Sequence, residues 1–456
     1  MPIARRHVEV PMNASQPEKS SNESSQGPLF FISAGDPSGD EHAARLVEAL
    51  SNAIPGSRFI GYAGPKTAAT QCDVRFDLTQ FAVMMLMRAI LNLPNYLKLI
   101  RQAKLIFRTE KPDMVILVDF PSFNWKIAQA AKAAGIPVVY FMPPQIWGWG
   151  QWRVRKMRKY VDVVLSCFEF EHKWFREQGC RSIFIGHPFF EEIRSRSVDA
   201  VFLKSLNSVV NGISTVSSDL STEAKGIRYL TLLPGSRNQE ITNNLEHLIN
   251  IARLVKSRVS DVQPVFAAYN KAHADMIRSR IGELNLDYPV YFGKTPELLR
   301  AATCCLGVSG SVSIEALSLC KPLVVVYRIS RFEYKALRFL KRVKFITLSN
   351  LLGIDQMEGE TPFYPRGFIP SSTDYTSRER ELMICPEFLS YKDEAEKVAP
   401  VLIEWFSSRS LLNRKIEELT QLKAATDIVE RPIEHAAKVI KEELVNLRKK
   451  SRNTLS

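Results

Sequence analysis

Asp119 closes the unbroken apolar run Met114-Val115-Ile116-Leu117-Val118. A carboxylate at the carboxyl end of a buried strand stands where open α/β sheets put reactive groups. Apolar surroundings raise its pKa and make it a better proton acceptor. The same aspartate also suits a plainer task, capping the turn through Pro121 into the helix after Asn124, and position alone does not separate the two. A different chemistry is written at Pro234-Gly235-Ser236-Arg237, which follows the apolar run Tyr229–Leu233. Free backbone N–H groups at a helix amino terminus bind anions, and Arg237 adds a forked, permanently charged donor suited to phosphate. The counterpart turn in the first half, Ala34-Gly35-Asp36-Pro37-Ser38-Gly39-Asp40, carries two carboxylates instead. One half is thus predicted to hold a phosphorylated ligand and the other a group that must be activated.

Further candidates lie at equivalent positions. Ser309-Gly310-Ser311 follows the strand predicted over Cys304–Val308, and its hydroxyls and amides suit phosphate. Glu315, four residues on, suits two ribose hydroxyls, or else is simply an acid well placed in a first helical turn. His187, in Ile185-Gly186-His187-Pro188, ends the last strand of the first half and reads as hinge or cleft lining. Trp147-Gly148-Trp149 reads either as core aromatics or as a wall of the cleft. Asp-x-Asp, the usual hint of a metal holding a nucleotide-sugar pyrophosphate, does not occur, which leaves Arg237 and helix termini to do it. No metal and no cofactor is expected.

The elements that must position these residues alternate strand with helix. Runs at Leu29–Ser33, Arg58–Gly61, Met114–Val118, Val138–Met142, Val163–Cys167 and Ile183–Ile185 predict one parallel sheet, because strands buried on both faces read as continuous apolar segments. Runs at Tyr229–Leu233, Pro264–Tyr269, Val290–Phe292, Cys304–Val308 and Leu323–Tyr327 predict a second. The expected fold class is α/β, two doubly wound Rossmann-like domains facing a cleft. The domain reading is a disordered lead-in over 1–27, a first domain over 28–190, a serine-rich linker over 191–226 with some helix near Val201–Val210, a second domain over 227–391, and helices with a basic tail over 392–456. Within the second domain, residues 354–385 are proline-rich and read as a long loop insertion.

The chain has 456 residues, 45% apolar and 24% charged, which are globular values for two domains of ordinary size. Its formal charge of +13 points to an anionic partner or to a solvated basic surface. Neither an RNA-recognition signature nor a zinc-finger spacing is present, and nucleic acid is not an expected partner. Seven cysteines without a Cys-x-x-Cys pair suggest reduced core thiols. No apolar run approaches the roughly 18 residues of a membrane-spanning helix. The segment 81–108 is strongly apolar yet carries Arg88, Lys98, Arg101, Lys104 and Arg108. It reads as a buried helix pair or as a surface that dips into a phospholipid membrane.

Taken in order, these motifs carry a resemblance: Ala34–Asp40, Ala82-Val83-Met84, Val118-Asp119-Phe120-Pro121-Ser122-Phe123-Asn124, Pro143–Trp149 with Arg153, Gly186-His187-Pro188, Leu233–Arg237, Ser309-Gly310-Ser311 with Glu315, Tyr327-Arg328 and Ser349-Asn350-Leu351-Leu352. Over residues 29–353, and again from about Pro386, the chain resembles lipid-A-disaccharide synthase, an inverting GT-B glycosyltransferase. The resemblance implies that UDP-2,3-diacylglucosamine donates its sugar to 2,3-diacylglucosamine 1-phosphate (lipid X), giving a β-1,6 disaccharide phosphate and UDP. It implies Asp119 as catalytic base. It puts Gly35, Asp36, Ser38, Gly39, Asp40, Asn124, Trp147 and His187 on the acceptor side. Gly235, Ser236, Arg237, Ser309, Gly310, Ser311, Glu315, Arg328 and Asn350 fall on the UDP side. It further implies a cytoplasmic protein, peripheral on the inner membrane of a Gram-negative-type bacterium, with a homodimer left open. The chain departs from the family pattern at Asp36, where glutamate is common, at Ser122, where a second aspartate is common, and at Ser349 and Ser390. The alternatives are an enzyme like UDP-N-acetylglucosamine 2-epimerase, or a non-catalytic lipid- or nucleotide-binding protein on the same scaffold.

Overall fold

A computed structural model describes residues 27–80, 93–211, 227–308, 310–365 and 374–455. The lead-in up to residue 26, the first part of the 81–108 segment, residues 212–226 of the linker, Ser309 and residues 366–373 of the insertion lie outside the described residues.

The apolar runs form two parallel sheets. The first has strands β1 (Leu29–Ala34), β2 (Arg58–Ala63), β3 (Cys72–Asp77), β4 (Met114–Val118), β5 (Val138–Phe141), β6 (Val163–Ser166) and β7 (Ser182–Phe184), in the spatial order β3-β2-β1-β4-β5-β6-β7. The second has β8 (Arg228–Leu233), β9 (Val262–Ala268), β10 (Val290–Phe292), β11 (Ala302–Gly307), β12 (Leu323–Arg328) and β13 (Glu387–Ser390), in the order β10-β9-β8-β11-β12-β13. Strand order reverses between β1 and β4 and again between β8 and β11. Crevices open at the carboxyl ends of such neighbouring strands. Ala34 pairs with Val118, so the turn at Gly35-Asp36 emerges beside Asp119. Leu233 pairs with Gly307, so Gly235–Arg237 emerges beside the segment holding Gly310 and Ser311.

Two strands were not anticipated. β3, Cys-Asp-Val-Arg-Phe-Asp, and β13, Glu-Phe-Leu-Ser, are edge strands interrupted by polar residues, so neither reads as an apolar run. Those of β3 are largely exposed, whereas those of β13 include the buried Glu387, which accepts from the Ile346 and Thr347 N–H groups.

The residues read as one carboxyl-terminal run, 392–456, are divided between the domains. The helix Ala395–Ser407 completes the second core through Val398, Leu402, Trp405 and Phe406. The helix Pro432–Leu455 returns to the first sheet, where Ile433, Ala436, Ala437, Ile440 and Leu444 pack with Phe30, Ile32 and Ile116. Lys441 Nζ donates to the carbonyl of Ala53 at 2.7 Å. The physical reason is an apolar stripe that would otherwise face water.

The linker is likewise partly absorbed. The helix Ala200–Asn211 lies on the second domain, where Phe202 meets the Tyr291 ring edge-on at 4.9 Å and Lys294 pairs with Asp199 at 2.6 Å. The described part of the insertion is packed, not loose: Tyr375, Leu382, Met383 and Cys385 are buried, and Phe363 meets Trp147, Phe170 and Trp174 of the first domain at centroid distances of 6.1 to 6.4 Å.

In the helix Leu93–Thr109, Leu99, Ile100, Ala103 and Phe107 are buried, while Leu97, Leu105, Lys98, Arg101, Lys104 and Arg108 are exposed. Its described part therefore has both a core face and a basic, partly apolar outer face.

Candidate active site

A cavity of about 390 Å³ opens where β4, β5, β6 and β7 end. Asp119 and Pro121 line it after β4, Met142 to Ile146 after β5, Cys167, Phe168 and Glu171 after β6, and His187 after β7. Trp149 and Arg153 complete its rim.

Asp119 and Phe120 both adopt left-handed backbone, with φ of +42° and +44°, and Met142 does the same at +52°. For residues bearing a side chain these conformations are uncommon and must be held by their surroundings. The carbonyl of Asp119 accepts from Asn124 Nδ2 at 2.7 Å and from Tyr140 Oη at 2.6 Å. Asn124 Nδ2 also meets the carbonyls of Val118 and Ser33, and its Oδ1 accepts from Ser33 Oγ at 2.6 Å. Gly35 leaves the room that the Phe120 ring fills, since a Cβ there would fall 2.1 Å from that ring.

The result is a carboxylate presented to the cavity from a strained, fully braced turn. Burial, and then the neighbouring Asp36, raise its pKa to about 6, while a hydrogen bond from the Phe120 N–H acts the other way. Asp36 itself is raised by burial and lowered by Arg237, which puts the two switch points within electrostatic reach across the cleft.

Several residues expected to touch the acceptor instead hold the site together. Asn124 is wholly buried and its amide is committed to the turn. Asp40 is buried and accepts from the N–H groups of Gly64, Lys66 and Thr67, capping the helix Pro65–Ala68, so its charge is spent on backbone donors. Trp147 is buried beneath the cavity, its Nε1 donating to Glu171 at 2.9 Å, and Trp149 is the wall. Gly39 lies beneath its helix against Val118, and Ser38 is exposed at the helix start. His187 lines the cavity as a neutral ring: burial pushes its pKa down to about 3, Nδ1 accepts from the Phe189 N–H, and Nε2–H remains its donor.

On the facing domain Gly235 has φ +111°, and its turn leads into the helix Asn238–Arg258. The N–H groups of Ser236 and Arg237, expected to be free for phosphate, are taken by Glu240 Oε2 at 3.0 and 3.2 Å. The guanidinium of Arg237 pairs with the other oxygen of Glu240 and is 82% exposed. A carboxylate thus already rests in the anion cradle, and a diphosphate would replace it. Glu315 is pulled up by burial and faces Arg196 at 3.5 Å. Gly310 and Ser311 are exposed at the same edge. The Arg328 N–H is held by Asn244 Oδ1. Asn350, expected on the UDP side, is wholly buried and bonded to Cys385 and Glu387, so its amide is structural.

Glu171, which the sequence reading did not single out, is the second acid of the cavity. Its signal was present: an acid within Phe168-Glu169-Phe170-Glu171, directly after a buried strand.

The family model described as Lipid-A-disaccharide synthetase matches residues 30–359. The chain belongs to the lipid-A-disaccharide synthase family. It is 33% identical over 325 residues to the lipid-A-disaccharide synthase of Myxococcus xanthus, covering 71% of this chain and 81% of that one. It is 30% identical over 371 residues to that of Actinobacillus pleuropneumoniae serotype 7, covering 78% and 90%. Among solved structures it is similar to the glycotransferase of kitacinnamycin (TM-score 0.55, 13% identity, covering 92% of this chain and 100% of that one). It is also similar to S. aureus MnaA with UDP (TM-score 0.54, 12% identity, covering 92% and 97%). The architecture is GT-B, and the family makes the chain a glycosyltransferase of lipid A biosynthesis.

Proposed function

We propose that the chain joins the sugar of UDP-2,3-diacylglucosamine to the 6-hydroxyl of 2,3-diacylglucosamine 1-phosphate, with Asp119 as general base. The acceptor oxygen gives its proton to Asp119 and attacks the anomeric carbon, the bond to UDP breaks on the opposite face, and a β-1,6-linked disaccharide phosphate leaves with inversion. The observation that carries this reading is a carboxylate raised to about 6 by desolvation, open to a cavity that lies within electrostatic reach of an arginine-bearing anion cradle. A base with that pKa is largely ionised at neutral pH yet still takes a proton readily. Arg237 and the N–H groups of Ser236 and Arg237, released by Glu240, meet the charge that develops on departing UDP. His187 and Arg153 supply cationic or donor groups toward the acceptor.

The substrates are lipids, and the reading extends to a phospholipid surface on the cytoplasmic side of the inner membrane. Among the described residues no helix is long and apolar enough to cross a membrane. Support for surface contact comes from the outer face of the helix Leu93–Thr109, and from Trp152, 66% exposed, followed by exposed Arg155, Lys156, Arg158 and Lys159. Aromatic and basic side chains together suit an anionic interface.

The test is to incubate the purified protein in detergent with UDP-2,3-diacylglucosamine, with and without the acceptor, and to follow UDP and lipid mass together. Acceptor-dependent UDP release with a disaccharide phosphate is the expected result. Donor bound but unchanged would overturn the reading in favour of a non-catalytic binder.

A further inference from the structure

Four segments wall the cavity, and one side chain ties two of them together. Glu171 lies in the first turn of the helix Glu169–Glu177, almost wholly buried. Its Oε1 accepts from Trp147 Nε1 at 2.9 Å and its Oε2 from the Cys167 N–H at 3.0 Å, and the Phe168 N–H also stabilises its charge. Trp147 belongs to the segment Pro143–Trp149 after β5, while Cys167 and Phe168 directly follow β6. Residues flanking Trp147, Ile146 and Trp149 among them, line the same cavity as Asp119. Beneath it the indole packs edge-on against Phe170 at 5.0 Å and meets Phe363 from the second domain at 6.3 Å. A carboxylate is an acceptor at both oxygens and matches converging N–H donors, whereas an amide would turn two donors against each other.

We propose that Glu171 is a positioning residue, a carboxylate clamp that fixes the Pro143–Trp149 wall to the end of β6 and so sets where the acceptor sugar sits against Asp119. It rests on the transferase reading above. The groups facing the pair are Asp36 from the turn after β1, Tyr140 from β5, His187 after β7, and Arg153 at the rim. Burial lifts Glu171 to about 7 against the hydrogen bonds from Trp147, Cys167 and Phe168, and the Asp119 charge makes a smaller addition.

The experiment compares wild type, Glu171→Gln, Trp147→Phe and the double variant. Loss of the clamp misplaces the acceptor, so kcat/KM for the acceptor falls roughly 10- to 100-fold in each single variant. The KM for the UDP-sugar stays at the wild-type value, because the donor cradle is on the other domain. The two losses are strongly non-additive, as they are for partners in one contact. Should Glu171→Gln not fold, the pH titration of the wild-type Trp147 indole N–H decides, since Trp147→Phe removes part of the packed ring together with the N–H.

A readout independent of turnover is the Trp147 indole N–H resonance, identified by its absence in Trp147→Phe. In wild type it exchanges slowly and titrates with Glu171; in Glu171→Gln it shifts and exchanges faster. An unmoved indole resonance, additive losses, or donor and acceptor constants that fall together overturn the clamp. Wild-type protein inactive with both lipids overturns the transferase reading instead, and the indole resonance still decides the clamp.

Discussion

At the scale of single residues, Asp119 joins two demands that oppose each other. Burial favours its protonated form in the folded protein, so its contribution to stability is full below its unfolded pKa of 3.8 and is lost as pH rises through about 6. Ionising a carboxyl held in that way costs stability, by an amount reduced by the solvent that reaches Asp119 at the cavity. Asp119→Asn is therefore expected to be more stable than wild type at pH 8 and equal to it at pH 4, as thermal melts at the two pH values will show. The same substitution removes the proton acceptor. Turnover should fall about 100- to 10,000-fold while UDP binding, measured by calorimetry, stays unchanged. In wild type, kcat/KM should decline as pH falls through about 6, where the base becomes protonated. A limb that persists unchanged in pH profiles of a slow Asp119→Asn enzyme would assign it to another group.

At the scale of elements, the turns carry more information than the strands. Met114–Val118 was legible as a buried strand because all five residues are apolar, and its carboxyl end marked Asp119 directly. What could not be read was how Asp119 is held. The left-handed pair Asp119-Phe120 depends on Ser33, Asn124 and Tyr140, which meet only when β1, β4 and β5 lie side by side. Asn124 and Asp40 look like ligand-binding residues in a motif, yet their polar atoms are consumed within the fold, by Ser33 and the turn's own carbonyls for Asn124 and by the N–H groups of Gly64, Lys66 and Thr67 for Asp40. The anion cradle was legible from Gly235-Ser236-Arg237, but its occupation by Glu240 was not, because a capping acid and a catalytic one look alike in sequence. Gly35 gives the sharpest test of this bracing. Gly35→Ala drives a methyl into the Phe120 ring, and Phe120 cannot retreat without carrying Asp119 with it. The expected outcome is a loss of about 1–3 kcal/mol in denaturant melts and roughly 100-fold in kcat, with UDP affinity retained.

At the scale of the whole molecule, the two domains share one apolar cluster that runs from Phe31 and Leu117 through Trp147 and Phe170 to Phe345 and Leu351. The cleft is thus backed by packing, and the ion pairs Lys173–Asp355 and Arg196–Glu315 cross beside it. Its outer basic face gives a prediction about location: Arg155→Glu with Lys156→Glu should cut co-sedimentation with anionic vesicles and leave detergent-phase kcat near wild type, since both side chains are exposed and outside the cavity. Retained sedimentation would move the contact to the helix Leu93–Thr109. The returning helix Pro432–Leu455 covers the first sheet although most of the chain separates the two in sequence. During synthesis, β1 and β4 leave the ribosome with an apolar face that the helix Pro37–Ala53 covers only in part until the second domain has also been made. The first domain is begun early and closed late, and chaperones have that interval in which to act on it.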